Sequence, residues 1–231
     1  MDRRSQSQTG LRALAPGLWV AEDEIRVAGL PTTIRMTVLQ RPEGLLVLHS
    51  PVEISDALAE ALDAIGPVRE LIAPNRLHHL FLLGAQGRWP DARLWGVPGL
   101  PAKRPDLVFD AVFGASTPVA LADTVECQLI AGCPSVSEVA FFHPPSRTLI
   151  LTDLVFNVHH SPSLVGELYL RASGAWRRCA QTPLMRALVA DRDAVRRSYA
   201  RLFDWDFERL IMAHGDIIEG QARAALRRAL A

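Results

Sequence analysis

Cysteine is scarce in this chain of 231 residues, which contains only Cys127, Cys133 and Cys179. Their number is odd, their spacing is wide, and no Cys-x-x-Cys pair occurs. These features exclude a disulfide framework and a cysteine-based zinc knuckle. We therefore expect a protein of the reducing cytoplasm.

Long apolar runs and an excess of charge of one sign are also missing. No apolar stretch approaches the roughly 18 residues that a membrane span needs, and the polar segment 1–10 lacks the apolar centre of a signal peptide. Lysine and arginine together number 25, as do aspartate and glutamate, so the formal net charge is zero. This balance argues against nucleic acid or a membrane as partner. The expected partner is a small-molecule substrate or ligand.

The remaining composition is that of an ordinary globular protein. Hydrophobic residues make up 49% of the chain and charged residues 22%, and this length is enough to bury a large core in one domain. We expect residues 1–10 to be disordered and residues 11–231 to form a single domain.

Short apolar segments that alternate with amphipathic ones predict an α/β fold. Strand patterns occur at 17–21, 33–40, 44–50, 68–73, 92–96, 125–130, 138–143, 148–153 and 209–213. Helical patterns occur at 55–65, 80–87, 191–202 and 219–231, whereas 97–117 is predicted to be a loop and 157–182 is irregular. The turn residues Arg41-Pro42-Glu43-Gly44 predict a hairpin between the second and third strands. Two halves, each strand-rich and then helical, predict a four-layer αβ/βα sandwich of two sheets with the helices outside.

Side chains that can bind a metal follow three of the predicted buried strands. His78 and His79 follow the strand 68–73, Asp153 closes the strand 148–153, and His214 follows the strand 209–213. Loops at one end of a sheet often carry ligands, and imidazole with carboxylate suits zinc or iron. Each histidine could instead cap a helix or be a hydrogen-bonded polar group of the core.

The order of these segments resembles the metallo-β-lactamase superfamily over most of the chain. That superfamily has a His-x-His-x-Asp-His loop, then a lone His in a turn, then an Asp that ends a strand, and a final His near the C-terminus. Here Thr152-Asp153-Leu154-Val155-Phe156 is similar to the Asp segment, and Ala213-His214-Gly215 is similar to the last segment. The resemblance implies the four-layer fold and descent from a metal-dependent hydrolase.

The first loop departs from the motif of the superfamily. Pro74 and Arg76 fall on the two leading His positions, His78 on the Asp position, and only His79 on the closing His. Cys133 falls where the lone His is expected, and it could be a thiolate ligand, a nucleophile or a small buried hydrophobic residue. The resemblance then implies a reduced, mononuclear site that holds one Zn or Fe ion, or none. The remaining metal ligands are His78, His79, Asp153 and His214.

A closer resemblance is to a branch of this superfamily that is described only as a domain of unknown function. It rests on six segments that are more specific together than singly, and it implies the fold but no particular substrate. The segments are Leu14-Ala15-Pro16-Gly17-Leu18-Trp19, Arg35-Met36-Thr37-Val38, His49-Ser50-Pro51, Ala73-Pro74-Asn75-Arg76-Leu77-His78-His79, Lys103-Arg104-Pro105-Asp106-Leu107 and Glu138-Val139-Ala140-Phe141-Phe142-His143.

Three residues are candidates for catalysis at such a site. Asp153 or Glu138 would act as the base, and Arg76 would stabilise a developing oxyanion. Glu138 could also partner a histidine or bind the metal itself, because a buried carboxylate needs a partner. Lys103 and Arg104 could hold a carboxylate or phosphate, or they could form only surface salt bridges.

Two functions are consistent with these residues. The first is a metal-dependent hydrolase that acts on an ester, amide or phosphoester. The second is a non-catalytic protein of the same fold that binds a small molecule or a protein partner. Ligands that survive at separate strand ends favour the first, and loss of the leading histidines favours the second. The segment 157–182 is expected to cover the site as a lid or to form a homodimer contact.

Overall fold

The computed structural model describes residues 10–27, 30–114, 116–160, 164–172 and 174–231. Of the segment 1–10, for which we expect disorder, all but Gly10 lies outside the described residues. In the described part of the chain, no helix combines the length and the apolar character that crossing a membrane requires.

The first sheet has seven strands that lie in sequence order. They are β1 (Leu11–Ala15), β2 (Leu18–Val27), β3 (Leu30–Gln40), β4 (Leu46–His49), β5 (Val68–Ile72), β6 (Arg93–Gly96) and β7 (Ala111–Val112). Strands β1 to β4 are antiparallel, and β4 to β7 are parallel. The predicted hairpin is confirmed, since β3 and β4 pair with Leu39 opposite Val47.

The second sheet has five strands in the order β12-β11-β10-β9-β8. They are β8 (Glu126–Leu129), β9 (Val139–His143), β10 (Thr148–Ile150), β11 (Arg209–Ile211) and β12 (Ile218–Glu219). Only β10 and β11 are parallel neighbours. The carboxyl ends of these two strands therefore lie at the same edge of the sheet.

Seven helices occur among the described residues. They are α1 (Asp56–Asp63), α2 (Leu82–Arg88), α3 (Leu100–Lys103), α4 (Leu164–Ala172), α5 (Pro183–Ala187), α6 (Arg192–Leu202) and α7 (Ala222–Leu230). Helix α1 begins where the sequence predicts, because the Ser55 hydroxyl accepts the N–H of Leu58 at 3.2 Å and caps its first turn.

The core is divided between the two faces of the second sheet. Successive side chains of a strand point to opposite faces, so Phe141 and Ile150 join the apolar cluster of the first sheet. Phe142 and Leu149 join a second cluster with residues of α6 and α7 such as Leu202. Two sheets packed face to face with helices outside confirm the predicted four-layer αβ/βα sandwich.

The structure adds elements that the sequence patterns do not predict. Strand β1 consists of leucine, alanine and arginine, which favour a helix over a strand, and Leu11 is its one fully buried residue. The predicted loop 97–117 contains α3 and β7. The irregular segment 157–182 contains α4, whose apolar residues Leu164, Val165, Leu168 and Tyr169 are exposed.

Candidate metal centre

Four strand ends meet at one edge of the sandwich and supply the site. Ser50 follows β4 and His78 lies in the loop after its parallel neighbour β5. Asp153 and His214 follow the parallel pair β10 and β11. The loops of the two sheets are tied together where the N–H of Val139 donates to the carbonyl oxygen of Pro74 at 2.8 Å.

Two histidines flank one carboxylate at this edge. His78 Nε2 lies 3.3 Å from Asp153 Oδ2, and His214 Nε2 lies 3.2 Å from Asp153 Oδ1. Ligand atoms of the three residues all lie within 4.8 Å of one another. The side chains of His78, Asp153 and His214 are only 9%, 6% and 10% exposed, so the group is shielded from bulk water.

The outer ring nitrogens fix how the two imidazoles face the carboxylate. His214 Nδ1 lies 2.7 Å from the carbonyl oxygen of Thr33, which can only accept a hydrogen bond, so Nδ1 carries the proton. His78 Nδ1 lies 2.8 Å from Ser50 Oγ. In neutral His214, the Nε2 lone pair therefore points at a carboxylate oxygen. Two acceptors at this distance need a cation between them, either a proton or a metal ion.

Asn75 and Glu138 hold the loops that carry His78 and Asp153. Asn75 is fully buried; its Nδ2 donates to Asp153 Oδ2 at 2.7 Å, and its Oδ1 accepts the N–H of His78 at 2.8 Å. Glu138 accepts the backbone N–H groups of Thr152 and Asp153, each at 2.8 Å. Both oxygens of Glu138 are thus engaged by the loop that they support.

The titration behaviour of the group follows from burial and mutual charge. Burial opposes ionisation of Asp153, but the charge of His78 and hydrogen bonds from His214 and His78 hold its pKa well below the usual value. Burial likewise opposes protonation of His78, yet Asp153 raises the pKa of this imidazole. Burial and the charge of Asp153 raise the pKa of Glu138. The group carries both charges in a closed space, which is typical of functional sites.

Arg35 is a positioning residue that the sequence patterns do not reveal. It is buried in β3, donates to the carbonyl oxygens of Met212 and Gly215, and pairs with Glu22 at 2.7 Å. These bonds fix the loop that carries His214. The opposite charges of Arg35 and Glu22 could have indicated this role from the sequence, because the two residues are direct cross-strand neighbours when β2 and β3 pair.

The structure does not bring His79 to the other predicted ligands. Arg104 donates to His79 Nδ1 at 2.8 Å and to the His79 carbonyl oxygen at 3.0 Å. An arginine is always a donor, so Nδ1 is the acceptor and Nε2 of the neutral ring carries the proton. Burial and the charges of Lys103 and Arg104 lower the pKa of His79 to about 4, which keeps the ring neutral. Neither nitrogen therefore offers a free lone pair.

Cys133 is also apart from the group. Its thiol donates to the carbonyl oxygen of Leu188 at 3.2 Å, and it packs with Val136 and Met185 in a small apolar cluster. Burial raises the pKa of the thiol, which disfavours both a thiolate ligand and a nucleophile. Of its alternatives, the structure favours the small buried hydrophobic residue.

One aromatic ring packs against the candidate ligands, and a cavity lies elsewhere in the fold. The Phe156 ring stacks on His214 with centroids 5.2 Å apart and planes 7° apart. A cavity of about 480 Å³ lies beside β8 and is lined by residues such as Glu126, Gln128 and Trp205. It is separate from the His78, Asp153 and His214 group.

Comparison with known proteins agrees with this architecture. A family model described as "Domain of unknown function (DUF4336)" matches residues 16–181. No curated protein sequence matches the chain significantly.

Solved structures of metallo-β-lactamases superpose on almost the whole chain. The enzyme from Pontibacter korlensis is 16% identical with a TM-score of 0.64, and 95% of this chain and 96% of that chain are covered. The enzyme from Erythrobacter litoralis is 15% identical with a TM-score of 0.67, covering 95% and 93%. The enzyme from Hirschia baltica is 12% identical with a TM-score of 0.64, covering 95% and 95%. At such identities the likeness establishes the fold, and the chain is a metallo-β-lactamase-fold protein that belongs to the DUF4336 family.

Proposed function

We propose that this protein binds one transition-metal ion through His78, Asp153 and His214, and that it is a metal-dependent hydrolase. The observation that carries the proposal is the pair of imidazole Nε2 atoms that face the two oxygens of Asp153. The outer nitrogen of each ring is held by a hydrogen-bond partner, as is usual for histidines that bind metals.

The donor set and its spacing fit such an ion. Two nitrogens and one carboxylate oxygen are ligands for zinc or iron, and catalytic zinc commonly has three protein ligands and one open position. His78 Nε2 lies 3.3 Å from one oxygen of Asp153 and His214 Nε2 lies 3.2 Å from the other, and one ligand atom of each of the three residues lies within 4.8 Å of the other two. When bound, such an ion acts as a Lewis acid and makes water more acidic.

The roles of the surrounding residues follow from their contacts. Asn75 and Glu138 orient Asp153, and both Glu138 oxygens are engaged by backbone N–H groups. Both oxygens of Asp153 are engaged as well, by His78, His214 and Asn75, so the role of Asp153 or Glu138 in accepting a proton from a reacting water stays a prediction. Arg76, two residues before His78 in the chain, is the proposed cation for a developing oxyanion.

The second candidate function is a non-catalytic protein that binds a small molecule or a protein. The low exposure of His78, Asp153 and His214 favours it, because a substrate must reach the site. In that case protons alone would occupy the positions between the imidazoles and Asp153.

The first experiment is elemental analysis of untagged protein by inductively coupled plasma mass spectrometry. We expect about one equivalent of Zn or Fe in the wild type and its loss in Asp153→Ala/His214→Ala. His160→Ala, at an exposed position outside the group, is the matched control and should retain the metal. EDTA should lower the Tm of the wild type and of this control, but not that of the double variant.

Metal far below one equivalent in the wild type, even after reconstitution, would contradict the proposal and favour the non-catalytic alternative. If metal is present, turnover is tested with p-nitrophenyl esters and with p-nitrophenyl phosphates. Stoichiometric metal without hydrolysis of any of these would leave the metal site standing and count against the hydrolase.

A further inference from the structure

The chain has a single lysine, and the structure places it against the loop of the metal centre. Lys103 ends helix α3, and its Nζ donates to the carbonyl oxygen of Arg76 at 2.7 Å. Arg76 lies two residues before His78. Lys103 is therefore bonded to the backbone of the loop that carries His78.

The Arg76 guanidinium is held in place but keeps unused donors. It lies against the backbone of Gly99, where an added Cβ would be 3.3 Å from its Cζ. Gly99 has φ +81°, a conformation that suits glycine. Arg76 NH1 donates to the carbonyl oxygen of Pro134 at 2.9 Å, while Nε is buried and has no hydrogen-bond partner within the described residues. Because Nε is buried, an anion from solution would meet the terminal nitrogens of the guanidinium rather than Nε.

The charges in this cluster are not balanced. Arg104 pairs with Asp106 at 2.6 Å, but no carboxylate of the described residues lies within 4.0 Å of Arg76 or Lys103. Partial burial and the nearby charges of Arg76 and Arg104 lower the pKa of Lys103. Two neighbouring cations without a counter-charge attract an anion.

We propose that Arg76 and Lys103 form a phosphate-binding site next to the metal centre. Arginine offers a planar fork of donors and lysine a point charge, the two modes in which proteins hold phosphate. A phosphate group carries about −1.5 to −2 at pH 7, which matches two cations better than a carboxylate does. The substrate would then be a phosphorylated small molecule; this last point alone rests on the proposed hydrolase function.

The test is isothermal titration of metal-free protein with inorganic phosphate at constant ionic strength. We expect saturable phosphate binding in the wild type. In Lys103→Gln and Arg76→Gln the affinity for phosphate should fall about tenfold or more. Arg196→Gln, which changes an exposed helix residue, is the control and should bind as the wild type does. Arg76→Gln also removes a bond to Pro134; if that variant fails to fold, Lys103→Gln, at an exposed position, decides the outcome.

The single lysine permits an independent readout. Modification of Lys103 by an amine-reactive reagent, followed by mass spectrometry, should be slowed by phosphate and much less by acetate. The N-terminal amine serves as the internal reference. Equal protection by acetate, or phosphate binding that is unchanged in Lys103→Gln, would overturn the proposal. The titration uses metal-free protein, so the two proposals can fail separately. Phosphate binding by a protein that binds no metal would contradict only the proposed hydrolase. Metal binding by a protein that binds no phosphate would contradict only the phosphate site.

Discussion

The side chain of Asn75 joins Asp153 to the loop of His78. Its Nδ2 donates to Asp153 Oδ2 at 2.7 Å, and its Oδ1 accepts the N–H of His78 at 2.8 Å. Because one amide both donates to the carboxylate and accepts from the backbone, it fixes the distance between two candidate ligands that are 75 positions apart in the chain. The placement of His78 relative to Asp153 therefore depends on this buried side chain.

Asn75→Asp should destabilise the protein strongly at neutral pH. The change is nearly isosteric, but it places a third carboxylate beside Asp153 and Glu138 and removes the donor of that amide. We expect a loss of about 3 kcal/mol or more in the free energy of unfolding at pH 7. Urea denaturation of variant and wild type measures it.

The loss in Asn75→Asp should shrink at acid pH. Repulsion from the neighbouring carboxylates raises the pKa of the new carboxyl in the folded protein above its value in the unfolded chain. The loss in free energy of unfolding is therefore full at high pH, and it falls as the pH drops through the folded-state pKa and the carboxyl takes up a proton. Asn157→Ala, which removes a buried amide bonded to the Asp216 carbonyl oxygen, is the comparison and adds no carboxylate. A deficit of Asn75→Asp that is the same at pH 7 and pH 5 would contradict the explanation.

Arg35→Met should lower both stability and metal content. The substitution leaves the carbonyl oxygens of Met212 and Gly215 without their buried donor and separates Glu22 from its partner. Breaking a buried charged contact costs about 3–5 kcal/mol. Urea denaturation and metal analysis check the two effects. In Glu22→Gln the loss should be smaller, because Glu22 is 42% exposed; an equal loss would show that the bonds to the His214 loop matter little.

Metal affinity should rise with pH through neutrality. Asp153 raises the pKa of His78, so metal-free protein keeps a proton on this imidazole that a metal must displace. Titration of Zn²⁺ in buffers of different ionisation enthalpy should show release of about one proton near neutral pH. In His78→Gln this release should disappear together with most of the affinity, whereas His160→Gln should behave as the wild type.

His49→Leu should stabilise the protein and weaken its sensitivity to acid. Within the described part of the chain, neither ring nitrogen of His49 has a hydrogen-bond partner, and the ring lies edge-on to Phe141. An unsatisfied buried polar group costs about 1–3 kcal/mol. Thermal and urea unfolding at pH 7 should therefore show a higher Tm and a larger free energy of unfolding in the variant.

The acid dependence has a definite sign. Burial, with the charge of His78, lowers the pKa of His49 to about 3 from the 6.5 of a free histidine. The unfolded chain takes up a proton at His49 below pH 6.5 and the folded protein does not, so stability is lost as pH falls from 6.5 towards 3. His49→Leu should flatten the profile in this window, and the exposed His160→Leu should not. If the free energy of unfolding of His49→Leu depended on pH as that of the wild type does, His49 would have to be hydrated or paired in the folded protein.

Local patterns were sufficient for most of the architecture. Continuous apolar runs such as 44–50 and 68–73 became β4 and β5, and Ser55 capped α1 where its spacing to the apolar stripe required. These features depend on period and on turn chemistry, which are local. Strand β1 was not predicted because its leucine, alanine and arginine favour a helix, and helix α4 was not predicted because Gly166 lies within its pattern.

For the site, the sequence by itself identified His78, His79, Asp153 and His214 as side chains at strand ends, together with Glu138 and Arg76. Only the tertiary structure decided that Arg104 takes the lone pair of His79, that Glu138 supports a loop, and that Arg35 holds His214 in place. The reason is physical. A residue's type and period are encoded locally, whereas the partner of a buried charge or lone pair is chosen by tertiary packing, over separations from 14 residues for Glu138 and Thr152 to 180 residues for Arg35 and Gly215. That packing determines which group remains free to bind a ligand.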